Sequence, residues 1–213
     1  MFVLSRFLKL IALIFCLGLI LCQSGYYQDK SVPVKEEIAT NESKSTLNPS
    51  VPLNLTISAI DIDHSISEYT DEMVVNNGGV DPDSWNSVEW WSGGGQPGTT
   101  LGNTSDVEGQ INFTTYLYGH STNCDSKKVI FDDIDLLNTG DEVIITTKLG
   151  QFIYSVDEVF IIAKTDLMTD SRTTEDIPGR LLLISCWRSW SGSGATTDNV
   201  VAVANLINFV PNN

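Results

Sequence analysis

Along most of the chain, apolar residues occur in short runs separated by turn residues, which is typical of β-strands. Residues 53–62 alternate apolar and polar side chains and predict one half-buried strand. No helical period continues for more than about two turns after residue 48, and residues 132–137 are the best short helix candidate. Further strands are predicted at 113–118, 142–147, 152–162, 181–186 and 199–209. The pattern therefore predicts an all-β domain, either a closed barrel or a sandwich.

The first 50 residues follow a different pattern. Arg6 and Lys9 precede an unbroken apolar run of 13 residues, Leu10 to Cys22, and this arrangement is typical of a signal peptide or signal-anchor over residues 1–23. Residues 24–50 are rich in Ser, Thr, Asn, Lys and Glu, which predicts a flexible extracytoplasmic linker. Because basic flanks stay in the cytoplasm, residues 51–213 are expected outside a single-pass anchor. Cleavage or lipidation of the segment remains an alternative.

Charge and cysteine content narrow the range of functions. The net charge is −15, and no Lys or Arg occurs between Lys44 and Lys127. Binding to nucleic acid or to an anionic bilayer surface requires clustered cations, so neither is expected of this domain. Two of the four cysteines lie in the N-terminal apolar segment, so there is no dense disulfide framework. The acidic run at residues 132–135 is more typical of a solvated face than of a calcium site, and no metal or cofactor is expected.

Two strand ends carry the candidate chemistry. Cys186 ends the predicted strand 181–186, and His120 follows the aromatic strand 113–118, 66 residues earlier. Each residue alone is commonly structural, since free cysteine is among the most buried residue types. Together they form a recognised nucleophile arrangement, in which an imidazolium stabilises a thiolate and later protonates a leaving amine. The polar connection 165–178 is longer than usual, which favours a functional loop.

At these residues the chain resembles the sortase family, and within it the class E and F sortases. The run from Tyr118-Gly-His120 to Gly140-Asp141 follows the family's histidine-containing segment. Leu182-Leu-Ile-Ser-Cys186 is similar to the family's Thr-Leu-x-Thr-Cys, with leucine and serine in place of the two threonines. Residues 88–98 and 198–201 resemble the tryptophan-rich segment and the final strand of those classes. The resemblance covers residues 51–210.

The resemblance implies an eight-stranded β-barrel with short helices and a membrane-anchored cysteine transpeptidase. Cys186 would attack a C-terminal sorting signal of an exported protein, giving a thioacyl intermediate, and His120 would protonate the leaving amine. An amine of the cell wall or of a pilin would resolve the intermediate. Residues 165–178 would roof the groove that reads the signal, and Ser185, Asn199 and Gly119 would contact the substrate. The family requires no metal or other cofactor.

One departure from the family concerns an arginine. Sortases use an arginine after the cysteine, on or before the last strand, to stabilise the oxyanion and hold the signal. The only arginine after Cys186 is Arg188, earlier than usual, while the nearer equivalent positions hold Thr197, Asp198 and Asn199. We predict that Arg188 takes the role, with Asn199 as a neutral donor or Arg180 as alternatives.

Three hypotheses remain beside this one. The missing late arginine is compatible with a non-catalytic sortase-like domain that only binds peptide. It is equally compatible with a cysteine peptidase that transfers its substrate to water. Cys124 lies four residues after His120, and a reversible disulfide with Cys186 would shut off the nucleophile.

Overall fold

The computed structural model describes residues 47–99, 112–121, 128–187 and 196–212. All of them belong to one compact unit, Lys44–Asn213. The N-terminal segment, Cys124 and Arg188 lie outside the described residues, so the hypotheses that involve them stay predictions. None of the helices within the described ranges combines the length and hydropathy needed to cross a bilayer.

The described residues form eight strands that close into a barrel, which confirms the predicted all-β barrel fold. Around the barrel the strands follow the order β1-β2-β3-β4-β7-β8-β6-β5. Within the described ranges, two short α-helices and two 3₁₀ turns connect the strands, the turns at Ser58–Ile60 and Ile134–Leu136. The strands are β1 Pro52–Ile57, β2 Ile62–Tyr69, β3 Val88–Trp91, β4 Thr115–Gly119, β5 Glu142–Thr147, β6 Gly150–Ala163, β7 Arg180–Cys186 and β8 Asp198–Pro211, and the helices are α1 Asp71–Asn77 and α2 Ser171–Thr174.

The prediction of one strand over residues 53–62 was wrong. The chain reverses after Ile57 through a 3₁₀ turn, and β2 then pairs antiparallel with β1. Asp61 makes the reversal possible with a φ of 57°, a left-handed conformation that aspartate tolerates better than most residues. The same alternating pattern thus serves two adjacent strands.

Side-chain alternation along β7 divides the apolar residues between the two faces of the barrel wall. Leu181 and Leu183 belong to the main core inside the barrel, with Leu55, Phe131 and Phe152 among others. Leu182 and Ile184 belong to a second cluster, together with Ile162, Val201 and Val203. Because successive strand residues point to opposite faces, this second cluster lies on the outside of the wall.

Residues 164–179, here called the roof segment, connect β6 to β7 beside the outer cluster. Asp170 caps α2 by accepting a hydrogen bond from the Arg172 amide at 2.8 Å. Asp176 Oδ1 accepts from the amides of Phe113 and Thr114 at 2.7 and 2.8 Å, which ties the segment to the start of β4. Leu167 packs against the outer cluster. Residues 165–178, expected to be a long polar loop, thus contain one short helix.

Candidate active site

His120 and Cys186 stand level at the ends of two adjacent parallel strands. β4 and β7 pair with an offset of 66 residues (181 − 115), from Thr115 opposite Leu181 to Tyr118 opposite Ile184. The same offset separates His120 from Cys186, which lie two residues beyond the last pair of the two strands and line one cleft. Neighbouring strands lie about 4.8 Å apart. Cys186 is a free thiol and is partly exposed.

Two serine hydroxyls fasten these strand ends to each other. Ser185 Oγ donates to the carbonyl of Gly119 at 2.8 Å, and both residues are buried. Ser121 Oγ donates to the carbonyl of Cys186. The hydroxyl of Ser185 is therefore engaged in a strand-to-strand bond, and the contact of Ser185 and Gly119 with substrate stays a prediction.

Residues 78–87, which connect α1 to β3, also contact the imidazole of His120. The Nε2 atom lies 2.9 Å from the carbonyl oxygen of Pro82. Because a carbonyl only accepts, Nε2 carries a proton in this arrangement. The Asp81 carboxylate is 3.9 Å from the same nitrogen, and the Trp85 ring centroid is 4.6 Å from that of the imidazole.

Buried polar residues on β2 and β3 fix this connection in place. The hydroxyl of the fully buried Tyr69 donates to the carbonyl of Gly79 at 3.2 Å and accepts from the side-chain Nδ2 of Asn77 at 2.7 Å. Glu89, also buried, accepts from the amide of Asp83 at 2.9 Å. These bonds place Asp81, Pro82 and Trp85 against His120. The sequence indicated only a turn at Asp81-Pro82, because nothing local reveals which distant strand end the turn meets.

A cleft of about 440 Å³ opens over the pair. The roof segment forms one side with Lys164, Leu167 and Met168, and residues 77–82 form the other. Tyr118 and Ile184 also line it. Burial raises the pKa of the Tyr118 phenol, so that side chain stays neutral and the cleft has an uncharged wall beside the thiol.

Asn199 lies in the cleft at the position directly opposite Cys186 on β8. The side chain is only 8% exposed, and its Oδ1 atom has no hydrogen-bond partner among the described residues. An unsatisfied buried acceptor costs about 1–3 kcal/mol, and a backbone N–H of a bound peptide would satisfy it. The predicted role of Asn199 in substrate binding is compatible with this position.

Neither described arginine lies beside the thiol. Arg180 is six residues before Cys186 on the same strand, or about 20 Å away at the usual strand rise. Its guanidinium is buried and donates to Thr114 Oγ1 and to the carbonyl of Arg172, so it anchors the roof segment. Arg172 is bound to Asp170 and covers the ring of Phe160 at 3.8 Å. This geometry rejects Arg180 as the oxyanion donor.

Among the described residues, no group of three or more His, Cys, Asp or Glu side chains is arranged to hold a metal ion. The described part of the candidate site contains a thiol, an imidazole, an amide and the polar groups around them.

A comparison with protein-family models identifies the family to which this chain belongs. The model described as Sortase domain matches residues 55–207, a range that includes His120, Cys186 and all eight strands except the outermost residues of β1 and β8. The chain belongs to the sortase family. Sortases are cysteine transpeptidases, so the enzyme class expected from the resemblance is confirmed. The narrower placement in class E or F stays a prediction.

Solved structures of sortases share the fold at low sequence identity. Sortase A from Corynebacterium diphtheriae is 17% identical, with a TM-score of 0.53 over 78% of this chain and 65% of that chain. A sortase from Actinomyces oris is 14% identical, with a TM-score of 0.52 over 78% and 83% of the two chains. Sortase A from Listeria monocytogenes is 17% identical, with a TM-score of 0.50 over 77% and 92%. No curated protein sequence gave a significant match.

Proposed function

We propose that this sortase cleaves a C-terminal sorting signal of exported proteins and transfers the product to an amine of the cell wall or of a pilin. The observation that carries the proposal is the placement of a free, partly exposed Cys186 level with His120 beside an open cleft. A binding domain has no need for a thiol and an imidazole at matched strand ends. The family supplies the type of reaction, and the site supplies the groups that perform it.

In the first half-reaction, the Cys186 thiolate attacks the carbonyl carbon of the scissile peptide bond. The C–S bond forms while the carbonyl electron pair moves to oxygen. Collapse of this tetrahedral species breaks the C–N bond, and His120 gives a proton to the departing amine. In the second half, the acceptor amine attacks the thioester carbon and gives a proton to His120, and the C–S bond breaks to release the Cys186 thiolate. Atoms and charge balance over the cycle without a cofactor.

Substrate contacts are assigned by position in the cleft. We assign the peptide's extended backbone to the space between the roof segment and residues 77–82, where Asn199 Oδ1 would accept a backbone N–H. Arg188, on the connection after β7, is proposed as the guanidinium that holds the signal's carbonyl. Its sequence position two residues after the nucleophile supports this role.

We further propose a single-pass anchor in the cell membrane, with the barrel on the extracytoplasmic side. The apolar run Leu10 to Cys22 and the preceding Arg6 and Lys9 support the anchor and its orientation. The polar residues 24–50 would hold the barrel away from the bilayer and allow it to reach exported substrates.

Trapping the thioacyl intermediate tests the proposed reaction. The soluble domain, residues 44–213, is incubated with a panel of sorting-signal peptides, and intact mass is recorded. We expect a mass increase equal to the N-terminal part of one peptide, located on Cys186 by peptide mapping. Cys186→Ala should abolish the adduct and peptide cleavage while leaving the melting curve unchanged. Cleavage by this folded variant would contradict the assignment of the nucleophile.

One observation favours the alternative functions. On β8 the uncharged Asn199, rather than an arginine, faces Cys186. A domain that only binds peptide would retain affinity without forming an adduct. A cysteine peptidase would form the adduct but release it to water at the same rate whether or not an acceptor amine is present. The trapping experiment, repeated with and without amine, separates the three functions.

A further inference from the structure

Lys164 is the one Lys or Arg among the described residues that line the cleft. It follows β6 directly, where its backbone amide donates to the carbonyl of Thr197 at 2.9 Å. The side chain is exposed, and none of the ion pairs within the described ranges includes its ammonium. An uncommitted cation in the active-site cleft of a chain with a net charge of −15 calls for a functional explanation.

Strand register places this lysine on the nucleophile's side of the barrel wall. Ile162 pairs with Asn199, and Asn199 pairs with Cys186, so the three form one row across β6, β8 and β7. At about 4.8 Å per strand, the row spans about 10 Å. Lys164 lies two residues beyond Ile162 and lines the same cleft as Asn199 and Cys186. From this position its flexible four-carbon stem is long enough to reach toward the space where a substrate carbonyl would meet the thiol.

The other cations that the structure describes are committed or remote. Arg180 is buried in bonds to Thr114 and the Arg172 carbonyl. Arg172 is paired with Asp170, and Lys128 with Asp133 at 2.8 Å. Lys148 is exposed at the turn between β5 and β6, at the opposite end of β6 from the cleft. Among the Lys and Arg residues that the structure describes, Lys164 is therefore the one available to the reaction.

We propose that Lys164 is a catalytic residue whose ammonium donates a hydrogen bond to the oxyanion formed when Cys186 attacks the substrate. The inference rests on the proposed function. The negative charge appears on the carbonyl oxygen only as the C–S bond forms, so the ammonium stabilises the transition state more than the bound peptide. The acidity of the domain makes such a local cation more important, because the surrounding carboxylates disfavour a new negative charge.

Lys164 acts separately from Arg188. Lys164 reaches the cleft from the end of β6, whereas Arg188 belongs to the connection after β7. Asn199 occupies the position opposite the nucleophile, and no Lys or Arg of the described strands lies next to Cys186. The lysine supplies a positive charge from the end of β6, two strands away from β7.

The test measures single-turnover thioacyl formation with the peptide that acylates the parent domain best. Lys164→Met keeps an unbranched stem without the charge, and Lys164→Arg keeps the charge. Lys148→Met is the matched control, since it removes an exposed lysine from the other end of β6. We expect Lys164→Met to lower the rate at saturating peptide about 10- to 100-fold, below the ~10²–10³ of a fully enclosed donor because this site is open to solvent. Lys164→Arg should recover at least about half of the loss on a logarithmic scale, and the control should stay within about twofold.

A second measurement separates transition-state stabilisation from peptide attraction. In the Cys186→Ala background, Lys164→Met should leave the Kd of the same peptide within about threefold. A loss confined to Kd or KM, or an unchanged rate in a folded Lys164→Met variant, would overturn the inference while leaving the proposed function intact. Absence of acylation in the parent domain with every peptide would overturn both.

Discussion

The alignment of Cys186 with His120 depends on residues that take no part in the chemistry. The Ser185 hydroxyl joins β7 to β4 one residue beyond their last paired position, directly before the two reactive side chains, and Ser121 Oγ donates to the carbonyl of Cys186 itself. Both serines are buried, where a hydrogen bond that loses one partner leaves the other unsatisfied. Their contribution is therefore to position the nucleophile.

Ser185→Ala is expected to lower both stability and catalysis. The carbonyl of Gly119 would lose its partner, at a cost of about 1–3 kcal/mol in the free energy of unfolding. The strand ends would also separate slightly, so thioacyl formation should slow about tenfold or more. Denaturant unfolding and intact-mass kinetics measure the two effects.

Ser185→Thr is the matched control for this change, because it keeps the hydroxyl and should retain most of the activity. If Ser185→Ala kept full stability and rate, the hydrogen bond to Gly119 would not be what aligns the site.

Three further variants distinguish the role of Arg188 from that of Asn199. Arg188→Ala should lower the rate of thioacyl formation about 10²–10³-fold if its guanidinium holds the reacting carbonyl. Arg188→Lys should recover little, because an ammonium lacks the forked donors of arginine. Asn199→Ala should raise KM with a smaller effect on kcat, since Asn199 is proposed to bind the peptide backbone.

The reverse result would assign to Asn199 the role proposed for Arg188, which is to hold the signal's carbonyl. In that case Asn199→Ala would carry the loss in kcat and Arg188→Ala would be mild. Melting curves of both variants check that the comparison is made on folded protein.

At the scale of elements, local sequence patterns were sufficient to predict the strands but not to predict which segments contact them. Residues 142–147 and 181–186 were predicted as strands, and β5 and β7 match these bounds to within one residue, because apolar β-branched runs between turn residues leave few alternatives. The 66-residue separation of His120 and Cys186 equals the offset of the β4–β7 register. The sequence alone does not show that these two strands are parallel neighbours.

Long-range contacts account for what the sequence did not reveal. The connection carrying Pro82 and Trp85 reaches His120 across the barrel end, and Lys164 reaches the cleft because β6 pairs with β8. Neither depends on a local pattern. The division of residues 53–62 into two strands depended on one left-handed aspartate, and an alternating pattern does not show where such a reversal occurs.

The roof segment gives the element-scale prediction. Its Asp170 accepts from the backbone and side chain of Arg172, and these bonds, the side-chain bond first, lower the pKa of Asp170 to about 2. A carboxyl with a depressed pKa contributes its stabilisation above its unfolded pKa of ~3.9. That contribution is lost as pH falls through the folded value of about 2. The bonds between Asp170 and Arg172 should therefore form at neutral pH and weaken progressively below about pH 4.

Limited proteolysis reports on the pair formed by Asp170 and Arg172, because Arg172 is exposed and is a trypsin site. Asp170→Ala should accelerate cleavage after Arg172 at neutral pH, whereas Asp157→Ala, an exposed aspartate on β6, should not. Side-chain ¹³C NMR of Asp170 should show a titration midpoint near pH 2. A midpoint near 4 would show that the pair with Arg172 does not form in solution.

For the whole molecule, the closed barrel makes the site depend on the core beneath it. Every strand is paired on both sides, so no exposed edge remains among the eight strands. The wall formed by β4, β7 and β8 has the main core on its inner face and the cleft on its outer face. Stability and catalysis therefore depend on opposite faces of the same three strands.

Leu183→Ala separates these two contributions. Leu183 is fully buried inside the barrel, opposite Leu117 on β4 and Ala202 on β8. Truncation should reduce the free energy of unfolding by about 2–5 kcal/mol, because a cavity remains in a rigid core. Well below the melting temperature, thioacyl formation per folded molecule should stay within a few-fold, since Leu183 points away from the cleft. Denaturant unfolding and intact-mass kinetics on the same sample give both values.

Ile207→Ala, at a β8 position that is 59% exposed, is the control and should change stability by no more than about 0.5 kcal/mol. If Leu183→Ala abolished acylation while the barrel remained folded, the two faces would not be independent, and the nucleophile's position would depend on core packing as well as on the strand register.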